Sequence, residues 1–335
     1  MTEYKQLLRD LQNQIYHPLY LLHGEEPYYI DRISDYIERH VLSEAEKSFN
    51  QTIIYGKDTG YKDLLDIVMR YPMMSNYQVV ILKEAQQFRD FDALLRYFEH
   101  PMRSTIFVIC YKYKKFDGRS KAYKLLSTKG VTLESKKLYD NQIPAFIDSL
   151  AKEMEIHLSH DATELLTEYL GNNLSKIMNE LEKLSLNVGK GTTVSTHHIE
   201  KYIGISKDYN VFELTKALAL RNKPRTFRIV KYFEKNPKAN EPVMVMGMLY
   251  SFFSKALVLQ STKANPYEMM GDLQIRSKPM ADDLKNYLRN YSSKETVNIL
   301  HLLHEYDMKV KGVDFSGTEK SVLLTDLMFR ILIRI

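Results

Sequence analysis

The chain has one cysteine in 335 residues, and we expect no apolar run that approaches the ~20 residues needed to span a bilayer. The cysteine, Cys110, lies within a short apolar run and can form no disulfide inside the chain. We expect a buried thiol rather than a nucleophile, in a reducing compartment. Polar residues follow Met1, so no signal peptide is expected. These features predict a soluble cytoplasmic protein that does not contact a membrane.

A large excess of one charge sign is also missing. The 47 basic and 42 acidic residues leave a net charge of +5, a mild excess compared with a histone-like protein. This balance permits contact with nucleic acid but does not require it. One basic cluster contains Lys112, Lys114, Lys115 and Arg119. Two interpretations stay open for it, an ordinary solvated surface and a contact with DNA.

The first 140 residues alternate short apolar segments with helical patterns. Five of these segments are interpreted as buried strands: Tyr20–Leu22, Thr52–Tyr55, Gln78–Lys83, Thr105–Cys110 and Val131–Leu133. Strands that are apolar on both faces and separated by helices predict a parallel sheet covered on both sides. The predicted fold class of this region is therefore an α/β domain of the nucleotide-binding type, with a five-stranded sheet.

After Asp140 the pattern is helical, and strand alternation almost disappears. We predict that two all-α domains follow the α/β domain. The polar segment Ile205–Asn210 is interpreted as a linker between them. The predicted domains are therefore residues 1–140, 141–208 and 209–335.

A glycine follows the first predicted strand, at the place where nucleotide hydrolases with such a sheet carry a phosphate loop. That loop needs G-x-x-x-x-G-K-[ST], because backbone amides and the lysine bind the phosphates while the hydroxyl binds Mg²⁺. The residues here are His23, Gly24, Glu25, Glu26 and Pro27. The second glycine, the lysine and the hydroxyl are missing, and two carboxylates stand where phosphates would bind. We interpret this segment as a vestigial, non-functional phosphate loop and expect no ATP hydrolysis.

Other catalytic patterns are missing too. The third predicted strand ends in Lys83 and Glu84, without the Asp-Glu pair that orients Mg²⁺ and water in such hydrolases. There is no G-x-S-x-G pattern, and His301 and His304 share a helix face without a third metal ligand. We predict no catalytic residue, no metal site and no cofactor.

Two adjacent methionines, Met73 and Met74, follow Pro72 in the connection between a predicted helix, Tyr61–Tyr71, and the third strand. From the residues alone, a pair tucked under the loop as a core anchor is the commoner arrangement. Two features favour exposure instead: Pro72 prevents the helix from continuing, and adjacent side chains cannot easily both point into one core. Two roles for the methionine pair therefore stay open at this point, an anchor in the core and a surface that binds a partner.

Five segments, in order along the whole chain, resemble segments of one family: Leu19–Ile30, Arg70–Leu82, Asn173–Leu184, Tyr209–Leu218 and Asp307–Gly312. The family is the delta subunit of bacterial DNA polymerase III, the clamp-opening subunit of the clamp loader. The first segment is similar to the family's opening strand and vestigial phosphate loop. The second is similar to its proline, paired apolar residues, polar turn and strand. The pair is methionine here, whereas the family often has leucine and phenylalanine.

The resemblance implies a degenerate AAA+ fold for the first domain, a lid-like second domain and a third domain that forms a collar joining the subunits. It also implies that Met73 and Met74 form a wedge that enters a hydrophobic pocket of the ring-shaped sliding clamp. The other implied clamp-binding residues are Tyr71, Pro72, Ser75, Asn76 and Tyr77, with Gln78 at the rim.

The implied partners are the sliding clamp (the beta subunit), loader subunits of the gamma/tau and delta-prime types, and primed DNA within the complex. The chain would be a non-catalytic subunit of a DNA-directed DNA polymerase (nucleotidyltransferase) holoenzyme, with ATP handled by its sister subunits. Two alternatives remain. A nucleotide-binding AAA+ remodelling ATPase is disfavoured by the missing lysine, and a stand-alone nucleic-acid-binding protein would show tight, salt-dependent DNA affinity.

Overall fold

The computed structural model describes residues 2–204, 206, 208–237, 241–275, 277–313 and 322–334. The chain divides into two compact units, Met1–Leu138 and Tyr139–Ile335. The sequence pattern ends the first domain at residue 140. A further division of the second unit at residue 208 stays a prediction.

A five-stranded parallel sheet forms the centre of the first unit. Its strands are β1 (Leu19–Gly24), β2 (Gln51–Tyr55), β3 (Gln78–Lys83), β4 (Thr105–Lys112) and β5 (Val131–Ser135). They are ordered β2-β3-β4-β1-β5, and every neighbouring pair is parallel. Strand β1 is buried along its entire length because helices cover both faces. The predicted five-stranded parallel sheet is confirmed.

Six helices accompany this sheet: α1 (Thr2–Gln12), α2 (Pro27–His40), α3 (Glu44–Asn50), α4 (Tyr61–Val68), α5 (Leu95–Glu99) and α6 (Lys121–Lys129). Helix α4 ends earlier than the predicted Tyr71. Helix α3 was not predicted from the sequence, although Ser43 and Glu46 form a capping box, a recognised signature of a helix start. This short helix matters for the loop described below.

Cys110 lies on β4 and is a buried free thiol. Burial raises its pKa to about 12, so the reactive thiolate is disfavoured at neutral pH. The expectation of a buried thiol is confirmed.

The second unit is mainly helical. Its helices are α7 (Ile143–Glu153), α8 (His160–Leu170), α9 (Leu174–Val188), α10 (Thr196–Tyr202), α11 (Val211–Ala219), α12 (Lys223–Lys235), α13 (Pro242–Thr262), α14 (Lys278–Asn290), α15 (Ser293–Val310) and α16 (Val322–Phe329). Two short parallel strands, β6 (His157–Leu158) and β7 (Thr193–Val194), also occur here, which corrects the prediction of an entirely helical region. They are two residues long, too short to show an alternating pattern.

Two predicted segments fall partly outside the described residues. The predicted linker Ile205–Asn210 includes residues 205 and 207, and a last helix predicted over Glu319–Ile333 begins in the undescribed range 314–321. Within the described part, helix α16 is followed by one π-helical segment, Arg330–Arg334.

Among the described residues, one helix, α13, is long and apolar enough to cross a bilayer. This corrects the expectation that no apolar segment approaches that length. The buried core helix of a soluble protein has the same length and composition. The buried side chains of α13 belong to the core of the second unit; they are Val245, Met246, Leu249, Phe252, Phe253, Ala256 and Leu259.

Candidate functional site

The connection between α4 and β3, residues 69–77, exposes large apolar side chains. Met74 is fully exposed and Met73 is 61% exposed, so neither methionine anchors the core. Tyr71 and Asn76 are exposed as well, while Pro72 is half-buried. Met74 has a φ of +53°, a left-handed conformation that is uncommon for a residue other than glycine. The methionine pair therefore lies at a sharp change of chain direction on the surface.

Asn50 holds this connection from α3. Its side-chain Nδ2 donates to the backbone oxygen of Met73 at 2.9 Å, and its Oδ1 accepts from the backbone N–H of Met73 at 2.6 Å. Asn50 is only 2% exposed. A buried side-chain amide thus satisfies both backbone polar groups of the first methionine while leaving the two methionine side chains in solvent.

Gln78 and Tyr77 fix the other end of the connection. The side-chain amide of Gln78 donates to the carbonyl of Ile67 at 2.7 Å, which joins the start of β3 to helix α4. Gln78 is buried, so its predicted position at an exposed rim is wrong. Tyr77 is half-buried and packs edge-on against Tyr16, with ring centroids 5.5 Å apart.

Ser75 is also linked to α3. The Ser43 hydroxyl and N–H hold the pKa of the Glu46 carboxyl below its usual value, and Ser75 adds a further hydrogen bond that acts in the same direction. The Ser43 groups belong to the capping box that begins α3, at 2.7 and 2.9 Å from Glu46. The connection is therefore tied to both Asn50 and Glu46 of one helix.

Phe49 is a large exposed residue that was not among the predicted site residues. It precedes Asn50 on α3 and is 71% exposed. Because Asn50 bonds directly to Met73, α3 brings Phe49 into the neighbourhood of the methionine pair. The capping box at Ser43 could have indicated this helix, but only the fold brings its end to residue 73.

The predicted vestigial phosphate loop is a closed turn between β1 and α2. Gly24 has a φ of +141°, and a Cβ atom placed there would lie 2.0 Å from the carbonyl oxygen of Ser135 on β5. The Ser135 hydroxyl donates to the carbonyl of Glu26 at 2.6 Å. His23 is buried, accepts from the N–H of Phe116 through Nδ1 at 3.2 Å, and has its pKa lowered by burial. Neighbouring chain segments thus pack tightly around this turn.

Glu26 occupies the start of α2, where a phosphate would bind in a functional loop. Its carboxylate accepts from the N–H of Tyr28 at 3.1 Å, and it is the residue that caps the helix. Burial raises the pKa of Glu26, with the Tyr28 bond acting against that shift. Pro27 follows as the first helical residue and has no N–H to donate, while Glu25 is exposed. The chain's own groups therefore fill the place of an anion.

The two candidate regions lie at opposite edges of the sheet. The turn at Gly24 follows the carboxyl end of β1, whereas residues 69–77 precede the amino end of β3. Because the strands are parallel, all their amino ends lie at one edge. Asn50 lies immediately before β2, at the same edge as the methionines.

The structure pairs most of the predicted basic cluster with carboxylates. Lys112 Nζ is 2.6 Å from Asp31, and Lys115 Nζ is 2.6 Å from Glu134. Arg119 Nε is 3.3 Å from Asp117, and Lys114 Nζ lies 5.4 Å from the centroid of the Tyr111 ring. Lys112 is the last residue of β4 and the other three follow it, at the carboxyl edge of the sheet. Contact of this cluster with DNA stays a prediction. The four side chains already interact with carboxylates or with the Tyr111 ring of this chain.

No group of three or more histidine, cysteine, aspartate or glutamate side chains is arranged to hold a metal ion within the described ranges.

A family model described as "DNA polymerase III, delta subunit" matches residues 20–136, which include all of β1 except Leu19, strands β2 to β5, the closed turn and the methionine loop. The resemblance to the delta-subunit family is confirmed. The chain is 25% identical over 326 residues to DNA polymerase III subunit delta of Bacillus subtilis, covering 93% of this chain and 91% of that protein. It is 20% identical over 306 residues to a probable DNA polymerase III subunit delta of Aquifex aeolicus, covering 86% and 85% of the two chains.

A solved structure has the same fold. The Bacillus subtilis DNA clamp loader delta protein superposes with a TM-score of 0.69 at 21% identity, covering 98% of this chain and 99% of that one. The fold class predicted from the sequence, a five-stranded parallel α/β region followed by helices, is therefore confirmed. Together these matches show that the chain is similar to DNA polymerase III delta subunits, within residues 20–136 for the family model and over most of the chain for the Bacillus subtilis protein.

We expect Gly24→Ala to destabilise the first unit by at least about 2–3 kcal/mol, because the new Cβ would force β5 away from β1. The measurement is urea unfolding followed by circular dichroism. Gly60→Ala is the matched control, since the nearest heavy atom to its Cβ is a flexible carboxylate oxygen of Asp63 at 3.4 Å. Gly60→Ala should lower the free energy of unfolding by about 1 kcal/mol or less. Equal midpoints for the two variants would show that the turn does not constrain the sheet.

Proposed function

We propose that this chain is a clamp loader delta subunit that binds the sliding clamp, the beta subunit, and opens one interface of the ring without hydrolysing ATP. The observation that carries the proposal is the exposed pair Met73 and Met74, presented on a loop held by polar side chains in a chain related to delta subunits. Soluble proteins rarely leave adjacent large apolar side chains in water without a partner for them.

The chemistry of the loop suits insertion into an apolar pocket. Methionine side chains are flexible and polarizable, so they fit pockets of irregular shape. Tyr71 and Phe49 would widen the apolar contact, while Ser75, Asn76 and Tyr77 would form a polar and aromatic rim. Pro72, with a fixed φ, would limit the freedom of the loop before the wedge.

Opening of the clamp would follow from differential affinity. A wedge that fits the open or strained ring better than the closed ring shifts the population towards the open form, by no more than the difference in binding free energy. Sister subunits of the gamma/tau and delta-prime types would bind ATP and control access to the wedge, and primed DNA would enter the assembled complex. In such a holoenzyme the chain would act in the cytoplasm.

The first test removes the wedge. Met73→Ala combined with Met74→Ala should weaken clamp binding by two or more orders of magnitude, because burial of each methionine contributes roughly 1.5–3 kcal/mol and about 1.4 kcal/mol corresponds to tenfold. The variant should also fail to release a clamp from circular DNA. Surface plasmon resonance with immobilised clamp measures the affinity, and Phe49→Ala should give a smaller loss in the same measurement.

Thermal unfolding of the same variants provides the control. The melting temperature should stay unchanged, because both methionines are exposed. Met308→Ala, which truncates an exposed methionine on α15, should leave clamp affinity unchanged. Normal clamp binding by the double variant would refute the wedge.

The proposal also implies that the closed turn at Gly24 neither binds nor hydrolyses ATP. Isothermal titration with Mg-ATP should detect no saturable binding at physiological nucleotide concentrations, because Glu26 caps α2 and the turn at Gly24 is packed against Ser135. A gamma/tau-type subunit serves as the positive control. Saturable binding with hydrolysis would favour a remodelling ATPase instead.

The second unit is proposed to join the chain to the other loader subunits, as the collar implied by the resemblance. Four apolar residues of α13, Met246, Leu249, Phe252 and Phe253, lie in the core and cannot form that contact in the folded chain. Val243, Tyr250 and Val258 are exposed and recur about every two turns, so they share one helix face. This face is the proposed assembly surface.

Tyr250→Glu should therefore reduce assembly with gamma/tau- and delta-prime-type subunits at least tenfold, since it places a charge in an apolar contact. Size-exclusion chromatography of reconstituted mixtures measures the complex, and binary clamp binding should remain normal. Tyr113→Glu changes an exposed tyrosine of the first unit and is the matched control. Normal assembly of the Tyr250→Glu variant with the other subunits would show that the contact lies on another surface of the chain.

A further inference from the structure

Asn50 is a buried polar residue whose hydrogen bonds reach across the chain to the methionine loop. Its amide bonds both backbone groups of Met73, at 2.9 and 2.6 Å, and its Nδ2 is also 3.2 Å from the carbonyl of Glu46 in its own helix. Asn50 lies at the end of α3, where the chain enters β2. Asn50 is therefore held in place by α3, which precedes it in the chain, and by strand β2 of the central sheet, which follows it.

We propose that Asn50 is a positioning residue that holds Met73 and Met74 in their clamp-binding arrangement before the clamp arrives. This inference rests on the proposed function of the loop as a wedge. Asn50 is buried and does not itself offer a surface to a partner. It acts through the backbone of Met73.

The backbone conformation explains why the loop needs such an anchor. Successive side chains of an extended chain point to opposite sides, so exposing two neighbours requires a local break in the chain. Met74 provides the break through its left-handed φ of +53°. A residue with a Cβ atom rarely adopts this conformation unless its surroundings impose it. The two bonds from Asn50 fix the residue that immediately precedes the break.

Preorganisation has a definite kinetic consequence. When the binding-competent conformation is populated only part of the time, the apparent dissociation constant rises by the reciprocal of that fraction. The association rate falls by the same factor when the loop interconverts quickly, while dissociation of the formed complex changes little. A missing direct contact would instead act mainly on the dissociation rate.

The test compares Asn50→Ala and Asn50→Ser in the full-length chain, with the purified sliding clamp as the probe. Serine keeps a polar group but cannot span both backbone groups of Met73. Each variant should lower clamp affinity about tenfold, as expected for a loop that is competent a tenth of the time, and the loss should lie in the association rate. Hydrogen exchange at the Met73 amide should speed up in both.

Asn210→Ala is the matched control. Asn210 is also buried, caps α11 by accepting from Glu213 at 2.9 Å, and belongs to the second unit. This control should lower stability while clamp affinity of the folded protein stays unchanged. It separates a general loss of stability from a specific effect on the loop.

A double-mutant cycle decides the role of Asn50. In the Met73→Ala, Met74→Ala background, the Asn50 substitution should have no further effect on affinity, because the residue acts only through the wedge. An equal loss in both backgrounds, an unchanged association rate, or unchanged affinity of both Asn50 variants would overturn this inference and leave the wedge itself intact. Normal clamp binding by the methionine double variant would overturn the proposed function, and this inference with it.

Discussion

The parallel sheet of the first unit separates the loops of this protein into two groups. Each parallel strand must be followed by a crossover connection, so every strand begins at one edge of the sheet and ends at the other. The amino edge carries the methionine loop before β3 and the end of α3 before β2. The carboxyl edge carries the closed turn after β1 and the basic residues after β4. One topological constraint thus keeps the proposed clamp surface away from the closed turn after β1.

At the amino edge, buried polar groups support an exposed apolar surface. Asn50 and Gln78 are both buried, and each uses a side-chain amide to satisfy a backbone group of the α4–β3 region. Buried amides of this kind are costly unless their bonds are made, so they specify one conformation of the chain. The apolar side chains of Met73 and Met74 then remain in solvent with little freedom in the backbone that carries them. Such an arrangement lowers the ordering cost of binding an apolar partner.

At the carboxyl edge, the chain fills its own anion site. The Glu26 carboxylate caps α2, and the Ser135 hydroxyl closes the turn by bonding the Glu26 carbonyl. Gly24 permits β1 and β5 to approach at a distance that no Cβ would allow. This turn can stabilise the sheet through the chain's own groups, without any ligand.

The sequence by itself determined the five strands of the first unit and the mainly helical region after them, because apolar runs and helical periodicity are readable from local pattern alone. It also showed that the phosphate-loop motif is absent after β1, since the missing lysine and the presence of Glu25 and Glu26 are visible as residue types. The burial of Gln78, the anchoring of Met73 by Asn50 and the exposure of Phe49 depended on the tertiary structure. These features join residues distant in sequence, 23 positions in the case of Asn50 and Met73. The periodicity of the sequence does not show which strand ends lie side by side in the sheet. Only the folded sheet brings these residues together.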